Sequence, residues 1–185
     1  MDPYVYPGTD VLQNLRDLRN PVELREYETD ATKLRIAQLK NKLIPGILDA
    51  AHLRAIHRHI FQDVYGWAGN FRTFEIGFAF VPYIESSLAQ LAAELRKEHY
   101  LAGMELPQFA KRASYHLGQL NAIHPFREGN GRAQNEFLRH LAHRNKMNLS
   151  WSGITHDPLY EAARRSYRQG DNSSFERILL EALTG

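Results

Sequence analysis

The sequence predicts an all-α domain, a helical bundle that carries one short β-hairpin or flap. Three observations lead to this class. Apolar residues recur at spacings of three and four in successive stretches, which places them on one face of a helix. Most prolines and glycines fall at or between the ends of those stretches. A single segment, residues 71–83, has the aromatic and β-branched character of a strand.

Taken in order, residues 2–10 hold two prolines, a glycine and two tyrosines and read as an extended arm packing by its aromatics. From Val11 to Leu43 the pattern is largely helical. Pro21 suits a first helical turn, and the stretch to Lys42 is rich in strong helix formers. Pro45 and Gly46 punctuate. A helix over 49–64 follows, with Leu53, Ile56, Ile60 and Val64 on one face. Gly66 to Gly69 form a tight turn. Residues 71–83 (FRTFEIGFAFVPY), split by Gly77 and closed by Pro82, read as a small exposed hairpin or an extended flap outside any sheet. Helices resume over 84–100, with Leu88, Leu91 and Leu95 on one stripe, and over 107–123, with Phe109, Ala113, Leu117 and Leu120. Pro125 stops the latter, because proline lacks the N–H and clashes with the preceding turn. A further helix covers 131–144, an apolar connector with Trp151 covers 149–154, and two short helices separated by residues 169–172 complete the chain.

Composition bounds the function. The 185 residues suit one domain, read as an arm (1–20), a core (45–150) and C-terminal helices (151–185). A formal net charge of +2 lacks the basic asymmetry of a nucleic-acid binder. The absence of cysteine excludes disulfides, thiolate metal sites and cysteine nucleophiles. Neither a secretory leader nor a membrane-length apolar run is evident, so a cytoplasmic protein with no membrane partner is expected; secretion without a cleaved leader is the alternative.

The chemistry concentrates in residues 124–132, His-Pro-Phe-Arg-Glu-Gly-Asn-Gly-Arg. His124 ends one helix and is a natural general base. Gly129, Asn130 and Gly131 open the next helix, whose first N–H groups lack intrahelical partners and point at any anion. Arg132 adds a planar fork suited to phosphate. Glu128 beside a phosphate nest implies an intervening cation, and magnesium held by one carboxylate plus phosphate oxygens resolves the conflict. Each residue alone is a weak signal. Together they point to a polyphosphate held beside a base.

This run resembles the signature of the Fic family, HPFx(D/E)GNGRxxR. The resemblance extends to QFAKRASYHLGQLNAIHPF, to WAGNFR and to FEIGFAFVPYIESSLAQL, and the opening DPYVYPGTDVLQN is similar to that of small bacterial class I Fic toxins. It implies the Fic fold and transfer of AMP from ATP to a Tyr, Ser or Thr hydroxyl of a target protein. His124 would be the base. Glu128 would hold Mg²⁺ across the α- and β-phosphates. The Gly129-Asn130-Gly131 loop would cradle phosphates, Arg132 would bind phosphate, and Phe126 would fix the loop. The flap (Phe74, Glu75, Ile76, Gly77, Phe78, Ala79, Phe80, Val81, Pro82) would pair with the target segment as an added strand. Topoisomerases and small GTPases are among targets of relatives.

The family's second arginine falls at position 135, where this chain has Asn135. Asparagine keeps a donor but loses the charge that meets the γ-phosphate and an inhibitory glutamate. Transfer of another group such as UMP, or a nucleotide-binding module of weakened turnover, are the readings that this departure leaves beside AMP transfer. The inhibitory pattern (S/T)xxxE(G/N) is absent from the sequence, which implies a small antitoxin acting in trans.

Other clusters read as structural. His52, His57 and His59 lack zinc spacing and read as solvated or capping residues; His140 and His143 share a face without a third ligand. Arg164, Arg165 and Arg168 read as a solvated helix face, Trp67 and Trp151 as core anchors, and Arg72 has no assigned role.

Overall fold

The computed structural model describes residues 2–184; Met1 and Gly185 lie outside the described residues. Among these there are seven α-helices: α1 (Pro21–Asn41), α2 (Ala50–Phe61), α3 (Ile84–Lys97), α4 (Leu106–Ile123), α5 (Asn130–Arg144), α6 (His156–Gln169) and α7 (Ser173–Ala182). The all-α expectation holds. Helix starts follow the sequence signals. Asn20 accepts from the Val22 N–H with Pro21 in the first turn of α1, and Asp49 accepts from the His52 N–H at the start of α2.

Helix α4 is the centre of the bundle. It packs against α3, α5, α6 and α7, and its buried residues run from Phe109 to Ile123 on several faces. Helix α5 lies between α4 and α2, with Ala133, Phe137, Leu138 and Leu141 in the core. The C-terminus of α4 and the N-terminus of α5 therefore meet at one end of the core, and the loop between them is residues 124–129.

Two expectations need correction. Residues 11–20 are not helical. Val5 and Leu12 form an antiparallel bridge, and the Asn14 carboxamide accepts from the Arg16 and Leu18 N–H groups, folding the chain into turns. A short amide side chain that satisfies nearby backbone competes with helix formation. The 71–83 segment takes the flap form and not the hairpin. Among the described residues the strands are β1 (Asn148–Leu149) and β2 (Leu183–Thr184), an antiparallel pair that ties the chain end to the connector after α5. Residues 71–80 form no ladder and bend at Phe74 and over 77–79, and Val81–Tyr83 form a single 3-10 turn. Their backbone groups find other partners, described below.

Candidate active site

The α4–α5 loop builds the site. His124 caps α4 in the left-handed region (φ 48°), and its N–H bonds to Leu120 O. A non-glycine residue held there is strained. Pro125 disfavours the right-handed conformation for the residue before it, so α4 cannot continue through His124. His124 Nδ1 lies 3.3 Å from Asn121 O, so Nδ1–H donates and Nε2 keeps its lone pair. Burial pushes the imidazole down to about 4; the Asn121 contact opposes this and the Arg72 cation adds to it. His124 is thus neutral at physiological pH.

Phe126 is buried and anchors the loop. Its ring stacks on His57 at a centroid distance of 3.8 Å. His57 is itself fully buried: Gly69 N–H donates to Nδ1, so Nε2–H donates to Glu128 O at 2.9 Å. Burial holds its pKa down to about 4, so it works as a neutral strut between the Gly66–Gly69 turn and the loop. The expectation of solvated histidines fails for His57 and also for His52, which is buried and bonded to the 44–48 backbone. Both lie on or beside the apolar face of α2, and that position was the signal that spacing for zinc obscured.

Asn130 is buried, and its carboxamide is spent on the loop. Oδ1 accepts from Phe126 N–H at 2.9 Å, and Nδ2 donates to Phe126 O at 2.8 Å. Its side chain therefore shapes the nest rather than facing an anion. Gly129 begins α5 at φ 81°, where a Cβ would sit 2.1 Å from the Phe61 ring. A Cβ on Gly131 would meet open space, so this glycine leaves the approach to the helix N-terminus clear. The start of α5 has no side-chain cap, and its first N–H groups stay free for a ligand.

Arg132 is held from α1, a contact the sequence did not announce. Its Nη2 donates to Glu28 Oε1 at 2.6 Å and Nη1 to Thr32 at 3.2 Å, while the guanidinium lies over Phe61. Glu28 also accepts from the Tyr65 hydroxyl. Glu128 is half-exposed; its Oε1 takes the Gly129 N–H at 2.8 Å and lies 3.4 Å from Arg132.

These residues open into one cleft of about 410 Å³, which brings together His124, Glu128, Gly129, Gly131, Arg132 and Asn135, walled by Leu159, Tyr160 and Phe175. Asn135 faces the cleft, and its backbone O accepts from Trp151 Nε1. Its neighbours do not replace the missing cation: Gln134 donates to Leu120 O, and Arg139 pairs with Glu136.

The flap packs against His124 at the edge of this cleft. Phe78 stacks face to face on His124 at 3.8 Å and 9°. The Tyr167 hydroxyl donates to Gly77 O. Ala79 N–H bonds to Ala122 O, and Glu75 accepts from Val81 N–H. Phe74 and Ile76 are half-buried, Pro82 is exposed, and Phe80 and Tyr83 project into solvent.

A helix–loop–helix that sets a histidine beside a glycine-lined helix N-terminus, under a flap, defines a Fic-type domain. The Fic/DOC family profile matches residues 47–142, and the chain belongs to this family. It is 42% identical to the probable protein adenylyltransferase y4lH of Sinorhizobium fredii, over 90% of this chain and 88% of that one. It is 35% identical to the protein adenylyltransferase VbhT of Bartonella schoenbuchensis, over 99% of this chain but 39% of that longer protein. Among solved structures, BepC of Bartonella tribocorum with bound AMPPNP superposes with a TM-score of 0.92 at 26% identity, covering 98% of this chain and 96% of the other.

Proposed function

We propose that this domain is a protein adenylyltransferase, moving AMP from ATP to a Tyr, Ser or Thr hydroxyl of a target protein. The observation that carries the reading is the cleft itself, where a base with a free lone pair and an uncapped, glycine-lined helix N-terminus meet. The names of the relatives and the AMPPNP bound to BepC support it.

In this reading the target hydroxyl approaches His124 Nε2, which takes its proton. The hydroxyl oxygen bonds to the α-phosphorus while the bond from that phosphorus to the bridging oxygen breaks, and pyrophosphate leaves. The free N–H groups of α5 and the Arg132 fork hold the phosphates and stabilise the charge that develops on them. Asn130 acts through the loop shape, not by contact. Glu128 fits magnesium. It is half-exposed in the cleft, and its Oε2 has no hydrogen-bond partner among the described residues. Such an ion needs one carboxylate and phosphate oxygens, and would neutralise phosphate charge when bound.

Residues 74–82 are the target-docking segment, with Phe80 and Tyr83 exposed for an incoming chain. Topoisomerases and small GTPases are the target classes that the family resemblance suggests. The absent (S/T)xxxE(G/N) pattern fits control by an antitoxin in trans, which makes this the toxin of a pair, in the cytoplasm. Among the described residues no helix is long and apolar enough to cross a membrane.

The uncharged Asn135 favours a second reading, transfer of UMP or a related group on the same scaffold. Bacterial lysate incubated with the protein and ATP labelled at the α-phosphate, ATP labelled at the γ-phosphate, or UTP labelled at the α-phosphate separates the two. Protein-bound label from α-labelled ATP alone supports AMP transfer. Label from γ-labelled ATP contradicts it, and preference for UTP replaces it with the second reading.

A further inference from the structure

Arg72 is a buried cation with an unusual set of partners. Its side chain is fully enclosed (0% exposed), and its nearest carboxylate, Glu75, is half-exposed at 3.4 Å. A buried charge is costly unless hydrogen bonds satisfy it. Carbonyl oxygens do so here. Nε donates to His124 O at 2.9 Å, Nη1 to Phe74 O at 3.1 Å, and Nη2 to Ala79 O and, at 3.5 Å, to Ile123 O. The Arg72 N–H adds a bond to Pro125 O at 2.9 Å.

These partners fall into two groups. Ile123 and His124 are the end of α4, where unpaired carbonyls and the helix dipole favour a cation. Phe74 opens the flap and Ala79 lies within it, beyond Gly77. One rigid fork therefore joins the backbone of the base to two points of the segment packed against it, and the flap needs no strand ladder to keep its shape.

We propose that Arg72 is a positioning residue: its guanidinium fastens the flap to the residue that carries the His124 imidazole, so that base and acceptor groove are set as one unit. This rests on the reading of His124 as base and residues 74–82 as docking segment. The donor side has separate braces in Glu28, His57 and Asn130, so the loss of Arg72 uncouples acceptor from donor without emptying the nucleotide site. Lysine keeps the charge but cannot span both groups, since its ammonium lacks the planar fork.

The test uses wild type, Arg72→Lys, Arg72→Met and Glu75→Gln, the last an exposed change that loosens the same flap root. Four readouts are taken: thermal unfolding, AMPPNP affinity, chymotrypsin cleavage after Phe74, Phe78 and Phe80, and carbethoxylation of His124 by diethyl pyrocarbonate, read by mass. Transfer of α-labelled AMP to lysate proteins is measured alongside. The proposal expects Arg72→Lys to fold and to bind AMPPNP within about twofold of wild type. It expects flap cleavage and His124 modification to rise about tenfold and transfer to fall about 100-fold, the scale of a 1 Å misplacement. Glu75→Gln moves the same readouts less, and decides the matter if the Arg72 variants do not fold. Unchanged cleavage and His124 reactivity overturn the proposal, as does a loss of transfer that merely follows lost AMPPNP binding. Absence of transfer by wild type counts against the adenylyl-transfer reading alone, because the cleavage and modification data judge Arg72 without it.

Discussion

The donor side of the cleft, residues 128–132, is braced by two other helices and by Phe126 of its own loop, whereas the acceptor side, residues 74–82, is irregular chain held by Arg72. On the donor side, α1 holds Arg132 through Glu28, α2 holds the loop through His57, and Phe126 packs beneath it in the core. On the acceptor side, Phe80 and Tyr83 face solvent. The contrast follows from what each half must bind. A phosphate chain is the same in every turnover and rewards a preorganised nest. A protein segment has to enter and leave, so its groove stays open and keeps unpaired backbone.

The comparison breaks if changes to one half spread freely to the other. Gly129→Ala is the largest single-site insult to the donor side, combining a positive φ with a Cβ 2.1 Å from Phe61. It is expected to cost about 3 kcal/mol by overpacking and strain and to abolish AMPPNP binding; a urea midpoint and affinity equal to wild type would refute the rigid-nest account. Glu28→Gln comes next. It removes the charged partner of Arg132, with an expected loss of about 2 kcal/mol and about tenfold in AMPPNP affinity. Calorimetric titration decides it, and chymotrypsin cleavage of the flap is expected to stay at the wild-type rate.

Acid reaches both halves, because His57 in the brace and His124 against Phe78 of the flap are each held down to about 4 by burial. His57 and His140 are held down to about 4 chiefly by burial, and His52 is lowered for the same reason. His140 Nε2 accepts the Ile44 N–H and its Nδ1–H donates to Glu136 O, so a second proton would set donor against donor. Because the folded values lie below the unfolded value, the stability of the neutral form is present above about pH 6.5. It is lost as pH falls toward about 4, and His57 and His140 each cost about 2 kcal/mol between roughly pH 7.5 and 5. Urea midpoints across that range test this, with His140→Gln flattening the dependence; a flat wild-type profile contradicts it. The smallest effect is expected from Asn135→Arg, which adds a cation to the cleft: ATP affinity rises about threefold to tenfold, and more than that for ADP. Equal gains for the two nucleotides would show that position 135 does not meet the γ-phosphate.

The same contrast explains what could be read in the sequence. The donor half was legible because nine contiguous residues hold base, carboxylate, glycines and arginine, and helix–loop–helix geometry follows from Pro125 and Gly129. What escaped were contacts between distant segments. Glu28 and Arg132 are 104 residues apart, and nothing distinguishes Glu28 from the other charges of α1. Arg72 looked like any loop arginine because its partners are backbone carbonyls, which leave no trace in side-chain patterns. The role of Asn130 in the loop was hidden for the same reason. The 11–20 misreading has a local cause in Asn14, while His57 was recoverable from its place beside Leu53, Ile56 and Ile60.

The most direct measurement follows both products of one reaction. Wild type and His124→Ala are incubated with ATP and lysate, and released pyrophosphate is counted against AMP bound to protein. The account predicts equal amounts of the two for wild type, and a fall of about 100-fold or more in both for His124→Ala with AMPPNP binding retained. Orthophosphate as the leaving product, or undiminished transfer by His124→Ala, would contradict it.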